Sequence, residues 1–363
     1  MPRRAVGVTH NPADNGAEMR EELAPPALNS LSSEVRSQLS RLERLLWQDA
    51  AEVDISDAIP RAHLEALAAA GFYGIFAPLE AGGLGLDYLQ MCAIVEELAS
   101  ACVATTFLWA QHFRLLGAMV DPRGPAVWQE RLKAPVIAGA VKGGVALTGL
   151  LPGPPRLVAS QHGDGWTLSG EAPWVSGWGT IDVVVVAARA PDDTVVCLLV
   201  DAAPQQGLSV LPAKLSALNG TRTVGLSFDG VYVDGERLMS RETYQGARQQ
   251  SERLRLNGSF ALGLARRCCE LLGPTALDKE LLGCRERLDS SQDATIGEAR
   301  AAACELAVRS AHALAVSRGS SSALSGDVAE RLSREAALLL VFGSRPSIKD
   351  GLLRRFNARG KGG

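Results

Sequence analysis

The chain has 363 residues and a formal charge of −3, from 37 Lys and Arg against 40 Asp and Glu, and 47% of its residues are hydrophobic. Because a single hydrophobic core stops growing at roughly 250–300 residues, we expect more than one subdomain. The balanced charge provides no basic surface for nucleic acid or an anionic membrane. No apolar stretch approaches the ~18 residues of a membrane span, so we predict a globular protein without one.

The cysteines and histidines show neither a disulfide framework nor a metal-binding pattern. The seven cysteines are scattered and never spaced as CxxC, so we expect buried thiols in a reducing compartment, the cytoplasm. The five histidines form no HxxxH or HExxH pair, so we predict no metal site. Residues 1–32 contain Arg3 and Arg4 with no apolar segment after them, which indicates a disordered leader and not a secretory signal.

Residues 33–133 are predicted to form an N-terminal helical domain. Ser33 can cap a first helix, because apolar residues recur at helical spacing after it. Asp87 and Gln90 have the spacing of a capping box at the start of a later helix. The segment 103–120 is apolar on nearly all sides, which predicts one continuous helix buried in a bundle.

Residues 134–242 change to strand signals. β-branched and aromatic runs flank turn-forming residues at 162–165 and again at 191–193, which predicts two hairpins. Two more β-rich runs follow at 208–211 and 223–233. We expect a compact middle β domain, either a small barrel or a sandwich.

Residues 243–357 return to helical patterns and are predicted to form a C-terminal helical bundle. Three long segments with this pattern are rich in Ala and Leu, and they span 254–272, 295–317 and 327–342. A short helix is predicted around 347–356. The order of helical, β and helical regions predicts an α+β fold and argues against a doubly wound nucleotide-binding fold. No GxGxxG, P-loop, GxSxG or kinase signature appears in the sequence.

Four segments, in this order, carry a family resemblance. They are GFYGIFAPLEAGGLGL (71–86), APWVSGWGTID (172–182), FDGVYVDGERL (228–238) and REAALLLVFGSRPSI (334–348). Together with the order of the three domains, they resemble the entry loop, the flavin-contacting strand, the exit strand and the last-helix motif of the acyl-CoA dehydrogenases. The resemblance covers roughly residues 35–356.

The resemblance implies a flavoprotein that holds FAD between the β domain and the C-terminal helices. The family's aromatic residue beside the flavin ring and the hydroxyl that hydrogen-bonds flavin N5 fall on Trp174 and Ser176. Thr148 matches the threonine of the family's flavin loop, although the acidic residue that normally follows is absent. Strand alternation by itself instead allows Trp174 and Ser176 to be ordinary strand residues, with the indole facing the core.

The resemblance also implies α,β-desaturation of an acyl thioester, carried by CoA or a carrier protein, and a separate electron acceptor. The family's usual general base falls on Gly343, which cannot take a proton. An alternative family position falls on Glu252 when the sequences are registered on Glu-Arg-Leu, and on Arg253 when they are registered on 261–265. From the residues alone, Glu252 is equally a solvated acid in the first turn of a helix.

Two departures leave other functions open. The family's turn that contacts the FAD pyrophosphate has no counterpart in residues 276–290, so other residues must hold the flavin, or the protein binds it weakly or has lost it. An oxidase or monooxygenase on the same fold needs no α-proton base, and a non-catalytic flavin-binding subunit needs no base at all. The Ala- and Leu-rich helices, with the resemblance, predict a homodimer or homotetramer.

Overall fold

The computed structural model describes residues 22–248, 252–343 and 345–358. Helices at both ends of the chain enclose a middle domain built on one mixed sheet. This arrangement confirms the predicted α+β fold class with its helical, β and helical regions in that order.

The N-terminal helices within the described ranges are α1 (Ser33–Ile55), α2 (Arg61–Ala69), α3 (Tyr88–Ala101), α4 (Val103–Gln111), α5 (Phe113–Val120) and α6 (Ala126–Ile137). The cap of α1 is Ser32 and not Ser33, because the Ser32 side chain accepts the backbone N–H of Val35. At α3 the predicted capping box of Asp87 and Gln90 is present with both of its hydrogen bonds.

The predicted continuous helix over 103–120 is interrupted at His112, between α4 and α5. The buried His112 ring donates from Nε2 to the carbonyl of Val136, 3.1 Å away, and its Nδ1 accepts the N–H of Gly143 at 3.1 Å. Burial lowers the pKa of His112 to about 3, so the ring stays neutral. These hydrogen bonds join the start of α5 to the end of α6 and to the start of the sheet. They depend on tertiary contacts, which helical periodicity in the sequence cannot reveal.

Helix α6 crosses the predicted boundary at residue 134 and contains Pro135. The chain turns instead at Gly139, whose φ of 70° favours glycine. The backbone N–H groups of Ala140 and Val141 both donate to the carbonyl of Pro135, which ends the helix.

The chain is folded before residue 33, in part of the segment expected to be a leader. Residues Pro26–Ser30 form a 3-10 turn, and Leu23 and Leu31 are buried. The carbonyl of Leu23 accepts a hydrogen bond from Arg285, 2.8 Å away. The expectation for residues 1–21 lies outside the described residues.

The strands within the described ranges are β1 (Gly143–Ala146), β2 (Leu157–His162), β3 (Gly165–Val175), β4 (Val183–Arg189), β5 (Thr194–Asp201), β6 (Leu208–Pro212), β7 (Val224–Val233) and β8 (Leu238–Thr243). Their order in the sheet is β6-β7-β3-β2-β4-β5-β8, and β1 pairs with β4 in parallel. The predicted hairpins are present as β2–β3 and β4–β5, both antiparallel. Strand β4 is buried along its whole length, so it forms the centre of the domain core.

Two irregularities in the pairing of β3 with β7 shape the sheet. Near Gly230, whose φ is 67°, the register shifts between Leu168 and Ser169. At the other end, Ala172 pairs with Leu226 and Val175 pairs with Val224, so Pro173 and Trp174 together face the single residue Gly225. An extra residue of this kind is a β-bulge, which redirects a side chain.

The C-terminal helices within the described ranges are α7 (Tyr244–Arg248), α8 (Glu252–Leu272), α9 (Ala276–Asp289), α10 (Ile296–Arg318), α11 (Val328–Val341) and α12 (Pro346–Ala358). Helix α9 lies in the segment 276–290, where the sequence did not predict a helix and showed only that the family's pyrophosphate turn is missing. It starts at a capping box of Thr275 and Asp278.

Helix α8 joins the two helical regions through buried charge pairs. Arg266 contacts Glu97 of α3 at 2.9 Å, and Arg267 contacts Glu43 of α1. Since an unpaired buried charge is strongly destabilising, these pairs fix α8 against α3 and α1.

All seven cysteines are free and buried, as predicted. The helices in the described ranges are each too short or too polar to cross a bilayer.

Candidate functional site

The bulge at the end of β3 turns Trp174 out of the sheet. The side chain of Trp174 is 64% exposed, the largest exposed fraction of any tryptophan among the described residues. The alternative in which this indole faces the core is therefore wrong. Trp174 lines a hollow of about 190 Å³ together with Pro173, Gly225 and the end of β6.

A larger cavity of about 820 Å³ shares Pro212 and Ala213 with this hollow. Its walls come from all three regions of the chain. They are the end of α1 and the residues after it (54–57), Trp178 and eight residues between 210 and 224 of the β domain, and Ser325 and Arg334 beside and within α11. We call the hollow and the cavity together the junction groove.

The junction groove contains both paired and unpaired cations. Arg334 contacts the carboxylates of Asp54 and Glu330, and these hydrogen bonds raise its pKa. Lys214 and Arg222 also line the groove and are exposed. No ion pair within the described ranges involves either of them, so both can bind an anionic group.

A chain of buried hydroxyls begins at Ser176, two residues after Trp174. The Ser176 Oγ lies 2.6 Å from Thr223 Oγ1, which lies 2.9 Å from Thr221 Oγ1. The Thr221 hydroxyl donates to the carbonyl of Leu218 at 2.8 Å. Sequence analysis did not single out Thr221 or Thr223, although Thr-x-Thr at the start of a strand places both side chains on one face.

The loop that carries Thr221 has a strained backbone. Leu218 and Arg222 have φ values of 61° and 44°, a left-handed conformation that is costly for both residue types. Strained residues cluster at functional sites, where the surrounding structure holds them in place. This loop forms one wall of the junction groove.

Thr148 lies in another part of the β domain. It is buried in a 3-10 turn after β1, and the next carbonyl, of Gly149, accepts hydrogen bonds from Arg189. The Arg189 guanidinium stacks on Tyr244, 3.4 Å from the ring centroid. Thr148 is not among the described residues that line the junction groove, so its role in flavin binding stays a prediction.

At the position of the family's usual base, Gly343 has no side chain, and the Asn257 amide lies near this position. Gly343 is exposed with a φ of 57°, and a Cβ built there would lie 2.9 Å from the Asn257 amide nitrogen. The preceding residue, Phe342, stands edge-on to Phe107 and Phe260, with centroids 4.7 and 6.0 Å away. This side of the molecule therefore presents an aromatic cluster beside an amide.

Glu252 is the first residue of α8, but its side chain lies outside the described residues, as does that of Arg253. The choice between the two registers for the alternative base is therefore still open. Asn257 follows Glu252 on the same helix by five residues.

Comparison with known proteins adds three findings. Residues 34–140 match the model of the acyl-CoA dehydrogenase N-terminal domain. The chain is 26% identical over 233 residues to benzylmalonyl-CoA dehydrogenase of Aromatoleum aromaticum, a stretch that covers 62% of each chain. The chain spans less than two thirds of the length of the curated relatives it matches first.

Solved structures share the whole fold at low sequence identity. A glutaryl-CoA dehydrogenase of Mycobacterium smegmatis in complex with FADH2 superposes with a TM-score of 0.74 at 16% identity, covering 90% of this chain and 95% of that one. A dibenzothiophene monooxygenase of Paenibacillus sp. A11-2 superposes with a TM-score of 0.73 at 17% identity, covering 90% and 98%. One fold thus serves a dehydrogenase and a monooxygenase.

Proposed function

The chain belongs to the acyl-CoA dehydrogenase family, and we propose that it is an FAD-dependent oxidoreductase that desaturates an acyl thioester between Cα and Cβ. At the family level, the relatives support a flavoprotein that oxidises CH–CH groups. The observation that carries the proposal is the exposed Trp174 at the β3 bulge, beside a groove between the β domain and the helices.

The residues of the junction groove fit FAD. Trp174 offers a flat apolar surface that a stacked ring would cover. Ser176, two residues along the chain, is not among the lining residues, but its hydroxyl is hydrogen-bonded to Thr223, which is. Lys214 and Arg222 are free to pair with a diphosphate. They would replace the missing pyrophosphate turn of the family.

Bound FAD would supply an acceptor for the hydride that leaves Cβ of the thioester. The chain's own part is to orient the substrate, exclude water and remove the proton from Cα. We assign the apolar wall for the acyl chain to Phe107 and Phe342, which are half-buried and pack on the buried Phe260. Glu252, at the start of α8, is proposed as the base that replaces the carboxylate absent at Gly343.

A second candidate is an oxidase or monooxygenase that uses the same flavin. The Asn257 amide, whose nitrogen is 2.9 Å from where a Cβ at residue 343 would lie, favours it, because an amide can hydrogen-bond an oxygen atom of a ligand but cannot act as a base for Cα–H. The likeness to a monooxygenase fold is compatible with this reading.

The absorbance spectrum of the purified protein, before and after titration with FAD, tests the cofactor. Anaerobic addition of acyl-CoAs of different chain lengths then tests the reaction. Bleaching by a thioester supports desaturation. Bound flavin that only a chemical reductant bleaches, and that then consumes oxygen, supports the second candidate. Protein that takes up no FAD would contradict both.

We also propose that the protein forms a homodimer or homotetramer through the C-terminal region. Large apolar side chains are exposed there, among them Val316, Leu324, Val341, Leu353 and Phe356. Exposed apolar surface of this kind marks interfaces. Sedimentation at micromolar concentration tests the proposal, and a monomeric mass would contradict it.

A further inference from the structure

Each compartment of the junction groove is lined by one tryptophan. Trp174 lines the hollow of about 190 Å³, and Trp178 lines the cavity of about 820 Å³. The cavity is within the range of about 300–1,000 Å³ that ligand pockets occupy, and the hollow is below it. A flavin ring on Trp174 would therefore leave the larger compartment for a second part of the ligand.

The two groove tryptophans differ from the other four of the chain in what contacts their rings. An arginine guanidinium lies over three of those four rings, 4.2 to 5.9 Å from the centroid, and the fourth packs against two phenylalanines. The four are Trp47, Trp128, Trp166 and Trp109. No ring or guanidinium of the described residues stacks on Trp174 or Trp178, so both can contact a planar ligand group.

Two cations lie near the boundary of the compartments and near Trp178. Lys214 follows Ala213, which lines both the hollow and the cavity. The Arg222 guanidinium lies beside the residue after Trp178, because a Cβ built at Gly179 would be 3.3 Å from Arg222 Nη1. The groove therefore has a tryptophan on each side of a cationic part.

We propose that Trp178 is the surface on which the adenine of the flavin cofactor stacks, and that it selects a dinucleotide over a mononucleotide. This inference rests on the proposed function. A flavin dinucleotide has two planar ring systems joined by a diphosphate, which matches the arrangement of tryptophans and cations in the groove.

Asp57 is a further lining residue that fits this half of the ligand. It is exposed in the same cavity as Trp178 and has no hydrogen bond or ion pair with the part of the chain that the structure describes. A carboxylate only accepts hydrogen bonds, and a ribose offers hydroxyl donors. Asp57 can therefore bind the sugar that carries the adenine.

Titration of the flavin-free protein with FAD, FMN and ADP tests the inference without any substitution. FMN carries the flavin ring and ADP carries the adenine half, so the two ligands probe the two compartments separately. Stacking of a base on an aromatic side chain strengthens binding by about 5- to 150-fold. We expect FAD to bind more tightly than FMN by a factor in this range, and ADP to bind by itself and to displace FAD.

Trp178→Leu removes the aromatic surface and keeps an apolar side chain. The variant should bind FAD and ADP about 5- to 150-fold more weakly and FMN with unchanged affinity. Trp178→Phe keeps an aromatic ring and should stay within a few-fold of wild type. Trp174→Leu is the matched control with the opposite pattern, since it should weaken FAD and FMN and leave ADP unchanged.

The three ligands separate the failure of this inference from the failure of the proposed function. Wild type that binds FMN as tightly as FAD, or a Trp178→Leu variant that weakens FMN as much as FAD, would overturn the inference and leave the flavin site standing. The wild-type result decides even if the variant does not fold. Binding of ADP without either flavin would support the adenine surface and contradict the proposed function, and binding of none of the three would overturn both.

Discussion

In the proposed site, the part formed by the β domain keeps more of the family pattern than the part formed by the C-terminal helices. We call these two parts the β side and the helical side. On the β side, the Trp-x-Ser segment keeps its aromatic and hydroxyl residues, and the bulge at Pro173 exposes the indole to the groove. On the helical side, the base position is Gly343, where an added Cβ would lie 2.9 Å from the Asn257 amide nitrogen. In the proposed function, recognition of the flavin and removal of the substrate proton therefore belong to separate parts of the molecule.

The largest effect should come from Glu252→Gln, which removes the proposed base on the helical side. General-base catalysis contributes about 10²–10⁴ in rate, so anaerobic flavin reduction by a thioester should slow by that factor. The flavin spectrum should not change. Glu286→Gln, an exposed residue of α9, is the matched control. Equal single-turnover rates in both variants would favour the base-free candidate.

Glu335, which follows Arg334 in α11, should make the free energy of unfolding depend on pH. Burial raises its pKa from 4.5 to about 7, so the folded state holds this proton more tightly than the unfolded state does. The contribution of protonated Glu335 to the stability of the fold is greatest below pH 4.5 and is lost as the pH rises toward 7. Glu335→Gln mimics the neutral acid, so at pH 8 the variant should be more stable by about 3 kcal/mol.

Urea denaturation of wild type and Glu335→Gln at pH 5 and pH 8 measures this difference. The gap in free energy of unfolding should be small at pH 5 and grow with pH. A gap that shrinks as the pH rises would mean that the Arg331 guanidinium, 3.7 Å away, stabilises an ionised Glu335.

Trp174→Ala tests the β side directly. Loss of the stacked pair, which contributes about 0.5–1.5 kcal/mol beyond its buried area, should weaken FAD binding by about 2- to 13-fold, and loss of the buried area itself should weaken it further. Trp174→Phe should stay within a few-fold of wild type. Trp128→Ala in α6, outside the groove, controls for general destabilisation. Fluorescence titration measures each affinity, and equal values for Trp174→Ala and wild type would remove Trp174 from the site.

Gly343→Ala should give the smallest effect. The φ of 57° makes any side chain unfavourable there, at a cost of about 1–2 kcal/mol. Gly283→Ala, inside α9, where a Cβ would make only an ordinary van der Waals contact with the Arg287 side chain at 3.6 Å, should instead stabilise by roughly 0.5–1 kcal/mol. Chemical denaturation of both variants measures the difference. A neutral Gly343→Ala would show that this backbone adapts, and that a carboxylate could be introduced at the position.

Local sequence was enough for the regular elements and for part of the site. The capping box at Asp87 and both predicted hairpins depend on hydrogen bonds between neighbours in the chain, so residue type and spacing predict them. The order of the domains follows from the change in hydrophobic period along the sequence. Trp174 and Ser176 were proposed as site residues because a short segment contains both residue types that the family has there.

Other features depended on contacts between distant segments, which only the tertiary structure decided. His112 interrupts a helix because Val136 and Gly143 approach its ring. The Trp174 indole is exposed because β3 gains a residue against β7, and alternation within β3 predicts the opposite face equally well. Thr223 reaches Ser176 across 47 positions of sequence. A hydrogen-bond chain of this kind requires close approach and burial, and both arise only when the strands pair.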